Sequence, residues 1–447
     1  MGHAEPSVQQ HAGVATPSLD AYWMPFTSNR DFKHDPKIVV RGEGMYLWSD
    51  RGDRLIDASS GLFCVNAGHC RTQIADAVSA QLRELDFVAP FTRAHPKQFA
   101  LAARVAELTP GDLNRVFFVN SGSEAVDTAM KLALAYHQAR GQGGRNMFIS
   151  RDRAYHGVNF GGVALSGIAN NRRKFGAGVA GVAHMRHTHL KENLFTQGEG
   201  AHGAELAEDL ARLVTLYGAE NIAACFVEPI AGSTGCLVPP KGYLRRLREI
   251  CDAHGILLVF DEVITGFGRT GKPFAAQSFD VVPDIITMAK GITNGAQPMG
   301  ALAISERIHE TVMSSAAEGS IEFFHGYTYS GHPASCAAGL ATLDIYRDEG
   351  LFERAAALSS YFLDGLFSLR DSAVVTDIRG YGLFGAIDLA ADGAPGRRGH
   401  AFQKQLFDAG LHLKATGDSA LVAPPLIAER QHVDMIIDIL RSTLATL

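Results

Sequence analysis

The stretch "GILLVFDEVITGFGRTG", residues 255–271, decides how the rest of the chain is read. Five apolar residues, Ile256 to Phe260, run without alternation from Gly255 to two carboxylates, Asp261 and Glu262. An unbroken run of this length predicts a strand buried on both faces of a parallel sheet. An acid at the end of such a strand is costly, because desolvation raises its pKa and tends to neutralise it. It stays ionised only where a cation meets it. Asp261 therefore poses the question of which cation that is.

Outward from this run the pattern is strand then helix, repeatedly. "RVFFVN" (115–120) precedes a helix over 123–140, and "MFIS" and "IAACFVEP" (222–229) follow. A helix over 243–254 leads into the opening run, and "DIITMAK" (284–290) comes after it. Alternating units of this length imply a parallel sheet covered on both faces. "GMYLWSDRGDRLIDASSG" (44–61) reads as a β-hairpin, and 72–85 and 96–111 as helices. After about residue 335 the texture changes to long helices with a few strands. The expected division is an N-terminal arm and part of the small domain over 1–70, a large domain carrying the sheet over 71–334, and a C-terminal small domain over 335–447.

The chain has 447 residues, a net charge of −6, and is 46% apolar and 20% charged. That length exceeds one compact core. Apolar runs stop at about six residues, too short for a transmembrane helix. Interspersed charge of both signs argues against nucleic acid and anionic membrane as partners. Residues 1–18 have neither part of a signal peptide and read as a mobile arm. The six cysteines show no CxxC and no zinc-like spacing, so they are expected to be reduced and buried, in a cytoplasmic protein.

Four signals fall at the carboxyl ends of the expected strands, where open α/β sheets bind ligands. In "VNSGSEAVDTAMKLA" a helix opens at Ser121, Gly122 and Ser123, with Glu124 completing a capping box. Free amides and two hydroxyls there can make an anion site, although taken alone the stretch reads first as a plain N-cap. In "DRAYHGVNFGG" (152–162), Tyr155 and His156 stand in a glycine-bounded loop. Tyr155 either stacks on a flat ligand or covers the core. Asp261 needs a cation, and Glu228 ends the neighbouring apolar strand. Lys290 ends another such strand before Gly291. A buried lysine of depressed pKa is what Schiff-base chemistry requires, whereas a solvated strand-end lysine is the plainer alternative. Together the four describe a site for a phosphorylated, aromatic, aldehyde-bearing cofactor with a basic ring nitrogen, which is pyridoxal phosphate.

Two motifs are set aside. "GYGLFG" (380–385) matches a dinucleotide-binding pattern, but "AIDLA" after it reads as a strand and not a helix. "HMRHTH" (184–189) has no carboxylate or cysteine at a useful spacing and reads as a solvated loop. No metal is expected.

The signatures "WMPFTSNRDFK", "NSGSEAVDTAMKLA", "AYHGV", "VEPIAGSTG", "LLVFDEVITGFGRTG", "AKGITNGAQPMGA", "HGYTYSGHP" and "GLFGAIDL" resemble those of class III (ω-) aminotransferases over almost the full chain. Within that class the chain is most similar to β-alanine/ω-amino acid:pyruvate and amine:pyruvate transaminases. The resemblance implies the α/β fold type I of PLP-dependent transferases: a mostly parallel seven-stranded sheet in a large domain plus a smaller α+β domain. It also implies a homodimer with sites at the interface, with pairing into tetramers left open. Lys290 would bond the cofactor and act as base and then acid. Asp261 would pair with the pyridinium, Ser121, Gly122 and Ser123 would hold the phosphate, and Thr328 would reach in from the partner subunit. Tyr155 and Val263 would cover the two ring faces, and Glu228 would support the site. Phe26, Phe63 and Lys414 would meet substrate.

Two departures bear on substrate. The family usually has an arginine where Lys414 stands, and that arginine grips the substrate carboxylate. Lysine keeps the charge but loses the bidentate fork, and Arg269 is the alternative by chemistry. Phe63 stands where tryptophan is frequent, which should widen the pocket. The expected reaction is transfer of an amino group from an ω-amino acid or amine, best β-alanine, to pyruvate. The alternatives are another ω-amine donor (a diamine, taurine or 4-aminobutyrate) and an aminomutase of the same fold.

Overall fold

The computed structural model describes residues 18–176, 178–179 and 181–447; the arm read over residues 1–18 lies, except for Ser18, outside the described residues. At the centre is a seven-stranded sheet. Its spatial order is Arg115–Val119, Gly300–Ile304, Ile285–Met288, Leu257–Asp261, Ile222–Val227, Met147–Arg151 and Val182–Met185. Gly300–Ile304 runs antiparallel to both neighbours, and every other adjacent pair is parallel.

The opening run behaves as its composition dictates. Leu257–Asp261 and its neighbour Ile222–Val227 are buried along their whole length. Alternate residues serve opposite faces. Leu257 and Val259 pack with Phe226 and with Ala125, Val126 and Ala129 of the helix Gly122–Ala139. Leu258 and Phe260 pack with Val227 and Leu247 on the other side. At about 25 cal/mol per Å² of apolar surface, two-sided burial makes these strands strongly stabilising.

Two strands escape the sequence pattern. Gly300–Ile304, "GALAI", is rich in small residues of weak strand preference and is held by pairing on both sides. Val182–Met185 takes in the start of the segment read as a solvated loop. His184 there opposes Ser150 in register, and its Nε2 lies 3.1 Å from Leu165 O. A four-residue edge strand gives too short a period to be seen.

The hairpin forms from Tyr46–Ser49 and Arg54–Asp57. Leu411–His412 pairs in parallel with Ile56 and Asp57, so the start and the end of the chain share one small sheet. The helix Pro333–Asp348 packs on Thr72–Glu84 and Pro96–Leu108. "GYGLFG" spans the turn between the antiparallel strands Val375–Tyr381 and Phe384–Leu389, so a strand and not a helix follows it. Gly382 has φ +63°, and a Cβ there would lie 2.4 Å from Arg269 O. Among the described residues, no helix is long and apolar enough to cross a membrane.

Candidate active site

Alternation along the opening strand sends its two acids to opposite sides. Asp261 falls on the face of Leu257 and Val259, toward the start of the Gly122–Ala139 helix. It is only 6% exposed. Its Oδ2 lies 2.8 Å from His156 Nδ1 and its Oδ1 accepts Val263 N–H at 3.2 Å. A carboxylate only accepts, so Nδ1 carries the proton. Glu262 turns away and accepts from Thr265 Oγ1 (2.9 Å) and from the amides of Ala275 and Ala276 (2.5 and 2.8 Å). Burial pushes its carboxyl up to about 7 against those hydrogen bonds. Glu262 anchors a turn, while Asp261 faces a crevice.

That crevice has a volume of about 160 Å³ and gathers Gly122, Ser123, Tyr155, Glu228, Asp261, Val263 and Lys290. Glu228 follows a strand whose even-numbered residues, Ala224 and Phe226, share the face of Asp261. Its carboxylate accepts Tyr155 N–H at 2.9 Å and Gly232 N–H at 2.8 Å. Burial raises its pKa, and the Asp261 charge adds to the rise. So Glu228 fixes the turn that presents Tyr155. His156 also lines the crevice; its Nε2 is buried without a partner. The sequence reading placed His156 beside Tyr155 but gave it no role.

Glycines allow the close approaches. A Cβ on Gly122 would sit 3.0 Å from Val263 Cγ2. Gly157 has φ +96°, and a Cβ there would sit 2.5 Å from Ser123 Oγ. The helix opens with Ser121 as N-cap, its Oγ accepting Glu124 N–H at 3.2 Å. Glu124 returns its own carboxylate to Asn120 N–H at 2.7 Å, one residue before the expected capping-box position. Ser123 Oγ accepts Val158 N–H at 3.0 Å. Both hydroxyls keep their protons free to donate, and the Gly122 and Ser123 amides have no intrahelical acceptor.

Lys290 follows the Ile285–Met288 strand and begins a 3₁₀ turn to Thr293 with φ +48°, a strained angle for a residue with a Cβ. A Cβ at Gly291 would sit 2.9 Å from Asn66 Nδ2. The turn is thus fixed by what packs around it. The Lys290 side chain keeps an open face toward the crevice, and its amine stands 5.6 Å from the Phe63 ring centre. Burial lowers its pKa, and the nearby Cys64, Asp261 and Glu228 oppose that fall only in part.

The remaining expected residues are placed differently. Phe63, buried with φ +59°, packs edge-on to Phe384 at 5.5 Å and borders Lys290. Phe26 and Lys414 line a second groove of about 450 Å³. It is larger than the crevice and also carries acids and amines, but its acids, Asp31 and Asp35, are partly exposed and paired with lysines, whereas Asp261 and Glu228 are buried. Lys414 opposes Leu421, which packs with Phe63, and opposed residues share a face. Burial lowers the Lys414 pKa. Thr328 is exposed on a loop and does not line the crevice of its own subunit. Arg269, the alternative carboxylate binder, is fully buried. Its Nη1 donates to Leu383 O (3.2 Å) and Pro424 O (2.5 Å), and its Nη2 to Ser60 Oγ (2.9 Å) and Asn66 Oδ1 (2.7 Å). It is a structural staple.

The other end of "HMRHTH" also differs from its reading. His189 does meet carboxylates, since ligand atoms of His189, Asp377 and Asp388 lie within 4.8 Å of one another. The partners come from a distant hairpin and were invisible as spacing. Arg379 already supplies the cation there, bonded to Asp377 and to Asp388 at 2.8 and 2.9 Å. Burial and the Arg379 charge bring His189 down to about 4.

The aminotransferase class-III family model matches residues 27–444. The chain belongs to the class III aminotransferases. It is 52% identical to an omega-aminotransferase of Caulobacter vibrioides, over 95% of this chain and 97% of that one. It is 46% identical to a beta-alanine–pyruvate aminotransferase of Pseudomonas aeruginosa, over 96% and 98%. It superposes with a TM-score of 0.90 on the omega transaminase of Pseudomonas jessenii solved in complex with PMP, at 33% identity and covering 95% and 96% of the two chains.

Class III aminotransferases depend on pyridoxal phosphate, and the residues of this aminotransferase fit it. The start of an 18-residue helix offers amides and hydroxyls to an anion. Buried Asp261 has only a histidine N–H and an amide as partners and needs a cation. The amine of depressed pKa faces the same space. The question that Asp261 poses in the sequence has a fitting answer here, since the protonated ring nitrogen of such a cofactor would supply the cation.

Proposed function

We propose that this aminotransferase moves an amino group from an ω-amino acid or primary amine, with β-alanine the best donor, to pyruvate, giving L-alanine and the matching oxo compound. The observation that carries the reaction is Lys290 and Asp261 facing one crevice from neighbouring strand ends. Likeness to the beta-alanine–pyruvate aminotransferase supports the donor.

In this reading Gly122, Ser121 and Ser123 hold the phosphate, Tyr155 and Val263 the ring faces, Asp261 the ring nitrogen, and Lys290 the aldehyde. When bound, the cofactor supplies an aldehyde that captures amines and a ring that takes up carbanion charge. Lys290 Nζ would take the proton from the substrate carbon beside nitrogen and later give it up. Its lowered pKa keeps more of it neutral at working pH, the form a base needs. Asp261 holds positive charge at the crevice floor, and His156 N–H fixes which way its carboxylate points. Tyr155, anchored by Glu228, shields the site from water.

The substrate carboxylate is assigned to Lys414. A donor panel of β-alanine, 1-phenylethylamine, 4-aminobutyrate and putrescine with pyruvate tests the reading, and turnover of other donors with no β-alanine activity would replace it with the alternatives. Lys414→Ala should raise KM for pyruvate and β-alanine by about 5- to 30-fold, the ~1–2 kcal/mol of a charge-assisted contact. It should leave 1-phenylethylamine nearly untouched, and Lys414→Arg should lower KM for the acids. Equal effects on acids and the neutral amine would place the carboxylate elsewhere.

We also infer a homodimer acting in the cytoplasm. Supporting the dimer, Trp23 is 88% exposed, Phe324 83% and Phe26 72%, an apolar surface that suits burial against a second copy. Supporting the compartment, the six cysteines are all free; four are buried as expected, but Cys64 is half-buried and Cys70 exposed. If Thr328 serves the partner's phosphate, mixing a Lys290→Ala protomer with a Thr328→Ala protomer gives one site with both lesions and one with neither. Activity should return on mixing. Verified subunit exchange without recovery would remove Thr328 from the site.

A further inference from the structure

No step of the transamination uses Asp57, yet it is among the most completely engaged side chains in the chain. It ends the Arg54–Asp57 strand and is fully buried. Its Oδ1 accepts Ser59 N–H at 2.9 Å. Its Oδ2 accepts Gly61 N–H at 2.6 Å and faces His69 Nε2 at 2.6 Å. His412 Nε2 lies 3.2 Å from Gly61 O, so the same glycine is gripped from both sides. Burial works against the Asp57 charge, but the His69 hydrogen bond and the fields of His412 and His69 hold its pKa below the usual range.

What this carboxylate grips is a strained segment. Ser60 has φ +47°, Gly61 +64° and Phe63 +59°, so left-handed backbone recurs within four residues and two of the three positions carry a Cβ. Such a segment keeps its shape only if its surroundings determine it. Asp57 binds its amides. Ser60 Oγ donates to Ala423 O at 2.7 Å and accepts from Arg269. Ser59 Oγ donates to Leu421 O at 3.3 Å and accepts the Lys414 amide at 2.9 Å.

The segment thus touches both expected substrate contacts. One end carries Phe63, beside the Lys290 amine. The other end holds the backbone of Lys414. We propose that Asp57, clamped by His69, is a positioning residue that sets the substrate wall of this active site by fixing Phe63 and Lys414 relative to Lys290. The proposal rests on the reading of Phe63 and Lys414 as substrate contacts. It explains why a buried acid and a run of strained residues precede the crevice: without the clamp the segment relaxes toward ordinary angles and the wall moves, while the cofactor's own holders, 122–123, 261 and 290, stay.

Asp57→Asn tests this on the holoenzyme. Asparagine has the same shape, but its NH₂ faces an N–H donor. The variant should keep bound cofactor and its absorbance band. Its kcat should stay within about threefold, while KM for pyruvate and β-alanine rises about tenfold, the scale of one misplaced charged hydrogen bond. Titrating the band with acetate, which does not react, reads the same wall without turnover and should show about tenfold weaker binding. Ser59→Ala, a milder change, breaks only the link to Lys414; it should weaken acetate and pyruvate and spare 1-phenylethylamine. His69→Gln, which keeps a donor near Asp57, should recover most of the wild-type KM. Loss of cofactor together with activity, or an equal fall in kcat for all donors at constant KM, would make Asp57 merely structural and overturn the proposal. Should Asp57→Asn not fold, unchanged acetate binding in Ser59→Ala would overturn it. A wild type inactive on the whole donor panel counts against the functional reading instead, and acetate binding still decides the role of Asp57.

Discussion

Lys290→Ala should lower turnover by about 10⁴-fold, the upper end of what a positioned acid–base group contributes, and should leave the fold intact. The fold survives because the side chain does not hold its own turn. The φ of +48° is imposed by neighbours: Gly291 fits against Asn66 and Phe267, and Tyr346 donates its hydroxyl to Gly291 O at 2.7 Å. Asn294, with φ +53°, closes the turn by bonding Ala67 N–H and Gly68 O. Alanine satisfies all of these. It lacks only the amine that captures the aldehyde and carries the proton. Borohydride reduction followed by peptide mass analysis should trap cofactor on the 290 peptide of the parent and on no peptide of the variant, although cofactor still binds. Trapping at a different lysine in the variant would remove Lys290 from its role.

Asp261→Asn should slow proton removal by about 10²-fold or more, on the scale of a lost charged contact to a developing charge. The shape is kept, and the contact with His156 survives. Asparagine turns its NH₂ to Nδ1, and the imidazole proton moves to Nε2, which is unpartnered in either tautomer. What disappears is the negative charge that holds positive charge at the ring nitrogen. Single-turnover kinetics with β-alanine should show the slower step, and the absorbance of the bound cofactor should respond to pH differently from the parent. Near-parental proton-removal rates would show that the charge of Asp261 is not needed.

These two residues were legible because each breaks a local rule. A carboxylate at the end of "ILLVF" and a lysine after "IITM" sit where desolvation penalises charge, and nothing in the flanking sequence offers a partner. His156 broke no rule by itself, since a histidine in a glycine-bounded loop is ordinary, and it acquired meaning only from the 2.8 Å contact with Asp261. Arg269 shows the opposite failure. Its chemistry suited a carboxylate, but tertiary packing surrounds it with carbonyl and side-chain acceptors from residues 60, 66, 383 and 424.

By itself the sequence determined the class of fold, the central strands, the helix that opens at Ser121–Ser123, and the strand ends at which the candidate site gathers. These follow from the two-residue alternation of strands, the helical period and capping chemistry, all of which act between near neighbours in the chain. Only the tertiary structure decided that Asp261 and Glu262 do different work, that Asp57 clamps the segment carrying Phe63, and that the Lys414 amide rests on Ser59. It also decided that the carboxylates near His189 already hold an arginine. Each of these depends on groups tens to hundreds of residues apart meeting within hydrogen-bond reach, and that proximity is set by how whole elements pack, which no local pattern encodes.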